Sequence, residues 1–146
     1  MPRRSKAEEL LDFEIAFYEK LLRAYPDFAD VLIPLGSAYT KRGLYEKGLE
    51  VDRRLTQLRG EDPISWYNLG CSYSLLNRLE EAFEALRRAV ALGYADLTHL
   101  QNDPDLLGLR RSPKYRQVLE LFATLAATKT APPTPSDPQT NPPAPA

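Results

Sequence analysis

Displaced by 34 residues, much of this chain lies on itself. Leu35-Gly36 falls on Leu69-Gly70, Tyr39 on Tyr73, Glu46 on Glu80 and Glu50 on Glu84. Arg53-Arg54 falls on Arg87-Arg88, Leu58 on Leu92 and Asp62 on Asp96. A fixed period shared by small, aromatic and apolar positions marks one supersecondary unit stacked on another, each covering a hydrophobic face its neighbour cannot bury alone. Glycine and proline cut the chain into helical lengths. Leu10, Leu11, Phe13, Phe17, Leu21 and Leu22 recur near helical spacing and predict a helix over residues 6–25, stopped by Pro26. Further helices are expected over residues 30–42, 45–59, 63–76 and 79–92, with Gly43, Gly60, Asn77 and Gly93 after them. Pro34 is placed near the first turn of the second helix, where a missing N–H costs least, and Pro63 opens the fourth. Shorter helical pieces follow over 96–102 and 104–110. Ser112-Pro113 then reads as an N-cap and first residue of a last helix, whose apolar stripe is Tyr115, Val118, Leu119, Phe122, Leu125 and Ala126.

After Ala127 the composition changes. Residues 128–146 hold seven prolines and no large apolar side chain, so a disordered or polyproline-like tail is expected there. Pro132 and Pro135 form a PxxP pair, a match that proline-rich tails produce readily. The rest has material for one core, at 43% hydrophobic and 27% charged over the 146 residues. Lys and Arg number 19 against 20 Asp and Glu, so no net field draws in nucleic acid or an anionic membrane. The basic residues Arg3, Arg4 and Lys6 precede no uninterrupted apolar stretch of the kind an export signal requires. A single cysteine, Cys71, makes no internal disulfide and suits a reducing compartment, so a cytoplasmic address is expected.

Trp66-Tyr67-Asn68-Leu69-Gly70, Tyr73, Leu79-Glu80-Glu81-Ala82, Leu86 and Ala89 resemble a complete tetratricopeptide repeat. Small Gly70 and Ala82 let two helices approach, and Trp66, Leu69 and Tyr73 fill the space around that contact. Residues 29–62 look like a weaker copy. It keeps Leu35, Gly36 and Tyr39, but has Leu32 for the family's tryptophan, Gly48 for its small alanine, and Asp52 where a bulky apolar residue is usual. The resemblance implies an all-α, short right-handed solenoid. Residues 6–28 give a leading half-repeat, 29–62 and 63–96 two repeats, and 97–127 a helical cap. Together, residues 1–127 would form the repeat domain and 128–146 the tail.

In such a solenoid the first helix of each hairpin lines the inner face. The resemblance places Asp30, Ile33, Ser37, Thr40 and Lys41 there from one unit, and Ile64, Tyr67, Asn68, Cys71, Ser74 and Leu75 from the next. Surplus apolar residues on a concave face imply a non-catalytic adaptor that binds a partner peptide or helix; self-assembly is the alternative. Replacing Tyr67 and Asn68 by alanine is expected to remove capture with little change in melting. Some family members grip a chaperone's C-terminal carboxylate, but Ile33, Ser37, Asn68, Thr98 and Asn102 at the matching places offer no cation. Arg53-Arg54 and Arg87-Arg88 are expected on the outer face, a poor case for an RNA ridge. A catalytic or metal centre at Cys71 or His99 is the remote alternative. Asp96 reads better as a helix cap and Asp103-Pro104 as a turn, so no metal, cofactor or catalytic residue is expected.

Overall fold

The computed structural model describes residues 2–130, and is all-helical over that span. Its order is α1 (Lys6–Ala24), α2 (Ala29–Arg42), α3 (Tyr45–Leu58), α4 (Pro63–Leu75), α5 (Leu79–Ala91) and α6 (Leu97–Asn102). A single 3-10 turn (Pro104–Leu106) leads into α7 (Leu107–Arg110) and then α8 (Lys114–Thr130). The helices pack as successive neighbours: α1 on α2, α2 on α3, α3 on α4, α4 on α5. At the end α8 covers α5, while the 3-10 turn and α7 cover α4. Residues 131–146, on which the PxxP and tail expectations fall, lie outside the described residues.

Local chemistry explains the boundaries. Ser5 and Glu8 form a reciprocal capping box at the start of α1, the Ser5 hydroxyl accepting from the Glu8 amide at 3.1 Å. Asp62 accepts from the Ile64 amide at 3.0 Å, with Pro63 in the first turn of α4. The turn inside each hairpin needs one residue in the left-handed region. Gly43 supplies it with φ of 81° and Asn77, one period later, with φ of 56°. The backbone conformation repeats even though the residue does not.

Three expectations are corrected. Pro34 is the sixth residue of α2, not part of its first turn, because the helix begins at Ala29. Its ring deprives the Asp30 carbonyl of a helical donor, and Asp30 is partly exposed, so water can serve that oxygen. Ser112 does not act as the N-cap: its hydroxyl donates to the Leu109 carbonyl at 2.8 Å, closing α7. Helix α8 also runs on to Thr130, beyond the expected end at Ala127.

The interior falls into three connected clusters. Ile15, Leu32, Leu35, Ala38, Tyr39, Val51 and Leu55 join α1 to the first hairpin. Leu49, Leu69 and Ala85 join the two hairpins. The last cluster packs Leu86, Ala89 and Val90 of α5 with Tyr94, Leu100, Leu106, Leu109, Val118 and Phe122. Its fully buried leucines, from α5 through the end segment, show why residues 97–127 act as a cover: they supply the apolar surface a third hairpin would have supplied.

The tightest contact is in the second hairpin. A Cβ added at Gly70 would stand 2.9 Å from Cγ and Cδ2 of the buried Leu86 and 3.4 Å from the Ala82 carbonyl. At Gly48, in the first hairpin, the nearest atom would be the Thr40 hydroxyl at 3.3 Å. Gly70→Ala is therefore expected to destabilise by about 1–2 kcal/mol, overpacking outweighing the gain in helix propensity. Gly48→Ala should be neutral or stabilising by up to about 1 kcal/mol. Urea titrations of both variants check this contrast.

Candidate functional site

Helices α2 and α4 present one face each to a groove of about 450 Å³. From α2 it is lined by Ile33, Gly36, Ser37, Thr40 and Lys41, and from α4 by Tyr67, Asn68, Cys71, Ser72 and Leu75. The third wall is the chain's own end segment, through His99, Asp103 and Asp105, and Asp52 of α3 lies in the floor. The groove residues anticipated from sequence thus meet here, except for Asp30, Ile64 and Ser74. Asp30 pairs with Arg59 at 3.1 Å, away from the groove. Ile64 is exposed but does not line the groove, and Ser74 is buried, its hydroxyl close to the Cβ position of Gly108.

Tyr67 has a second occupation that its place in the sequence did not reveal. It is only 3% exposed and stacks on Tyr94 with ring centroids 4.4 Å apart. Its hydroxyl donates to Asp103 Oδ2 at 2.6 Å. Burial, with Cys71 and Asp103 beside it, pushes the hydroxyl pKa up, so it remains a donor. The expectation that Tyr67→Ala leaves melting unchanged is overturned: removing a stacked, buried ring costs about 3–5 kcal/mol. Asn68, half-buried beside it, is the position that can be altered cheaply.

Asp103 is the residue sequence reasoning undervalued. It does make the expected turn, Oδ1 accepting from the Asp105 amide at 3.0 Å. Its other oxygen faces the groove floor, where it meets the Tyr67 hydroxyl, the Cys71 thiol at 3.7 Å and His99 Nε2 at 3.5 Å. Asp96 caps the His99 amide at 3.0 Å, as expected, and that cap sets His99 on the groove wall. One sulfur and two carboxylate oxygens, from Cys71, Asp103 and Asp105, lie within 4.8 Å of one another. The 34-residue comparison could not show this, because the end segment departs from the repeat.

The electrostatics of this floor oppose nucleophilic chemistry. Burial, then the Asp103 and Asp105 carboxylates, push the Cys71 thiol well above its usual pKa and keep it protonated. Burial and Asp103 likewise raise Asp105. Asp52 is 7% exposed and accepts a hydrogen bond from the Ser72 hydroxyl. Burial pushes its pKa up to about 6, against the lowering effect of Ser72, and Asp105 adds to the rise. On the opposite side of the hairpins, Arg54 pairs with Asp27 and Arg87 with Glu84, so one arginine of each doublet is held in an ion pair.

A raised carboxylate pKa means ionisation opposes folding. The stability Asp52 contributes when protonated is complete below pH 3.8 and lost as pH rises through about 6. Asp52→Asn, which can still accept from Ser72, is expected to stabilise by about 1–3 kcal/mol at pH 7.5 and by almost nothing at pH 4. Thermal melts at both pH values check this; an equal effect at both would contradict it.

Comparison with known proteins bears on the same region. The family model described as the tetratricopeptide repeat matches residues 63–95, the hairpin of α4 and α5. A chloroplastic protein of Arabidopsis thaliana is 34% identical over 93 residues, 60% of this chain and 27% of that protein. The Protein CTR9 homolog of Arabidopsis thaliana is 42% identical over 53 residues, 36% of this chain and 5% of that protein. The chain therefore spans about a quarter or less of these curated relatives. Among solved structures, that of MamA matches with a TM-score of 0.56 at 24% identity, covering 82% of this chain and 78% of that one. No described helix is long and apolar enough to cross a membrane. The repeat matched at 63–95, on a stack of adjacent helical hairpins, makes this a tetratricopeptide-repeat-containing protein.

Proposed function

We propose that the chain is a non-catalytic adaptor whose groove between α2 and α4 captures a peptide or helix of another protein, in the cytoplasm. Repeats of this class generally serve as protein-interaction modules. The observation that carries the reading is the groove itself, lined by Ile33, Ser37 and Asn68, side chains that the core leaves to solvent at least in part. Asn68 offers both a donor and an acceptor to a partner's backbone. Ile33 and Leu75 offer apolar contact on either side. The protonated, buried thiol of Cys71 argues against a nucleophile at the centre of the groove.

Peptides selected by phage display against the full chain provide the test. Ser37→Lys with Asn68→Ala is expected to weaken selected peptides at least tenfold, while stability moves by less than about 0.5–1 kcal/mol, since neither side chain is in the core. Undiminished binding, or failure to select any peptide, would overturn the groove as a capture site.

Self-assembly is favoured by a different surface. On α1, Leu10, Phe13 and Phe17 are 59%, 70% and 52% exposed and share one side of the helix, opposite the inward-facing Ile15. Light scattering should show a dimer that Phe13→Lys with Phe17→Lys returns to monomer; a monomer at all concentrations sinks this second reading.

A further inference from the structure

The groove carries an unbalanced charge. Asp52, Asp103 and Asp105 line it, and among the described residues Lys41 is the only lysine or arginine to do so. Among the described residues no lysine or arginine side chain forms a salt bridge with any of these three carboxylates. The hydrogen bonds they accept come from neutral groups, the Ser72 and Tyr67 hydroxyls, the Cys71 thiol and the Asp105 amide, and His99 Nε2 on the groove wall stands 3.5 Å from Asp103 Oδ2. The nearby Arg110 guanidinium is spent on backbone carbonyls of Leu100 and Asp103. Neutral donors steady a carboxylate and leave its charge in place.

Asp52 gives an independent sign. It is more than nine-tenths buried, where desolvation penalises a charged side chain. Its Oδ2 is satisfied by Ser72, but Oδ1 accepts no hydrogen bond from any described residue. That oxygen sits beside Gly36, 3.2 Å from where a Cβ would stand, and both residues line the groove. A charge kept at a cost to folding, with one oxygen open to a cavity, is what a receptor for the opposite charge requires.

From this geometry we infer that the groove floor seats the cationic head of a lysine or arginine side chain on the captured segment. The inference rests on the capture reading above and names the chemistry of its guest. Ile33 and Leu75 supply apolar wall for the methylene stem, as long basic side chains need when their heads reach inward. Asp52, Asp103 and Asp105 then meet the ammonium or guanidinium in a partly desolvated site, where charge-assisted bonds are strongest. The proline-rich residues 131–146 contain no lysine or arginine and cannot provide this cation.

The test uses the full chain, labelled with 15N, and three small probes: the N-acetyl, N-methylamide derivatives of arginine, lysine and norleucine. Arginine and lysine are expected to give saturable amide shifts at Gly36, Cys71, Ser72 and Asp105, and norleucine none. Asp52→Asn with Asp105→Asn should weaken the response at least tenfold. Because the changes remove one buried and one half-buried charge from a group of like sign, the variant stays folded and the loss reads binding alone. Equal shifts from norleucine, or no shifts from any probe, would overturn the inference. So would a response to zinc chloride with none to arginine, which would make the Cys71 cluster a metal site instead. The display experiment separates the two proposals. Groove-binding peptides without a basic residue would refute the cation seat and leave capture standing. An arginine response with no selectable peptide would refute capture and leave only a seat for a free cationic group.

Discussion

The close approach of α4 and α5 at Gly70 sets the geometry on which the rest of the molecule depends. With no side chain at Gly70, Leu86 lies directly against the backbone of α4, and Ala82 lets the next turn follow. That contact fixes the angle between the helices, and with it the direction in which α4 presents Asn68 and Cys71. The first hairpin reaches a similar result with looser parts. Gly36 meets Val51 and Asp52, and Gly48 meets Thr40, none nearer than 3.2 Å. Two hairpins of like geometry stack with a regular offset, and the groove is the space that offset leaves.

The periodic part of the fold was legible because each requirement there has one local solution. A tight helix contact needs a small residue, so Gly36 and Gly70 recur at the same interval. A hairpin turn needs a left-handed residue, so Gly43 is answered by Asn77. Helix limits followed from the same punctuation to within a residue or two, except where a rule of position failed. Pro34 was misplaced because a proline signals a first turn only when the true cap, here Phe28, is recognisable, and phenylalanine offers no capping oxygen. Ser112 failed for a related reason, its hydroxyl having a nearer acceptor at Leu109.

The groove was legible only on its two repeating walls. Ile33, Ser37, Lys41, Asn68, Cys71 and Leu75 could be placed because helical register alone assigns them to one face. The third wall could not be read that way. His99, Asp103 and Asp105 belong to a segment without the period, and the turn that Asp103 makes masks its second role. Tyr67 shows the opposite confusion, a residue that lines the groove and is at the same time part of the core. Register says where a side chain points; it does not say that nothing lies there already.

Asp103 belongs at once to the stack's closure and to the groove. One oxygen holds the turn that starts the 3-10 segment, and the other reaches Tyr67. Beyond that turn lie Leu106 and Leu109, both wholly buried against the second hairpin. A group that drew the Asp103 carboxylate away from Tyr67 would act on the same residue that sets this turn, so the closing segment and the cavity share one side chain.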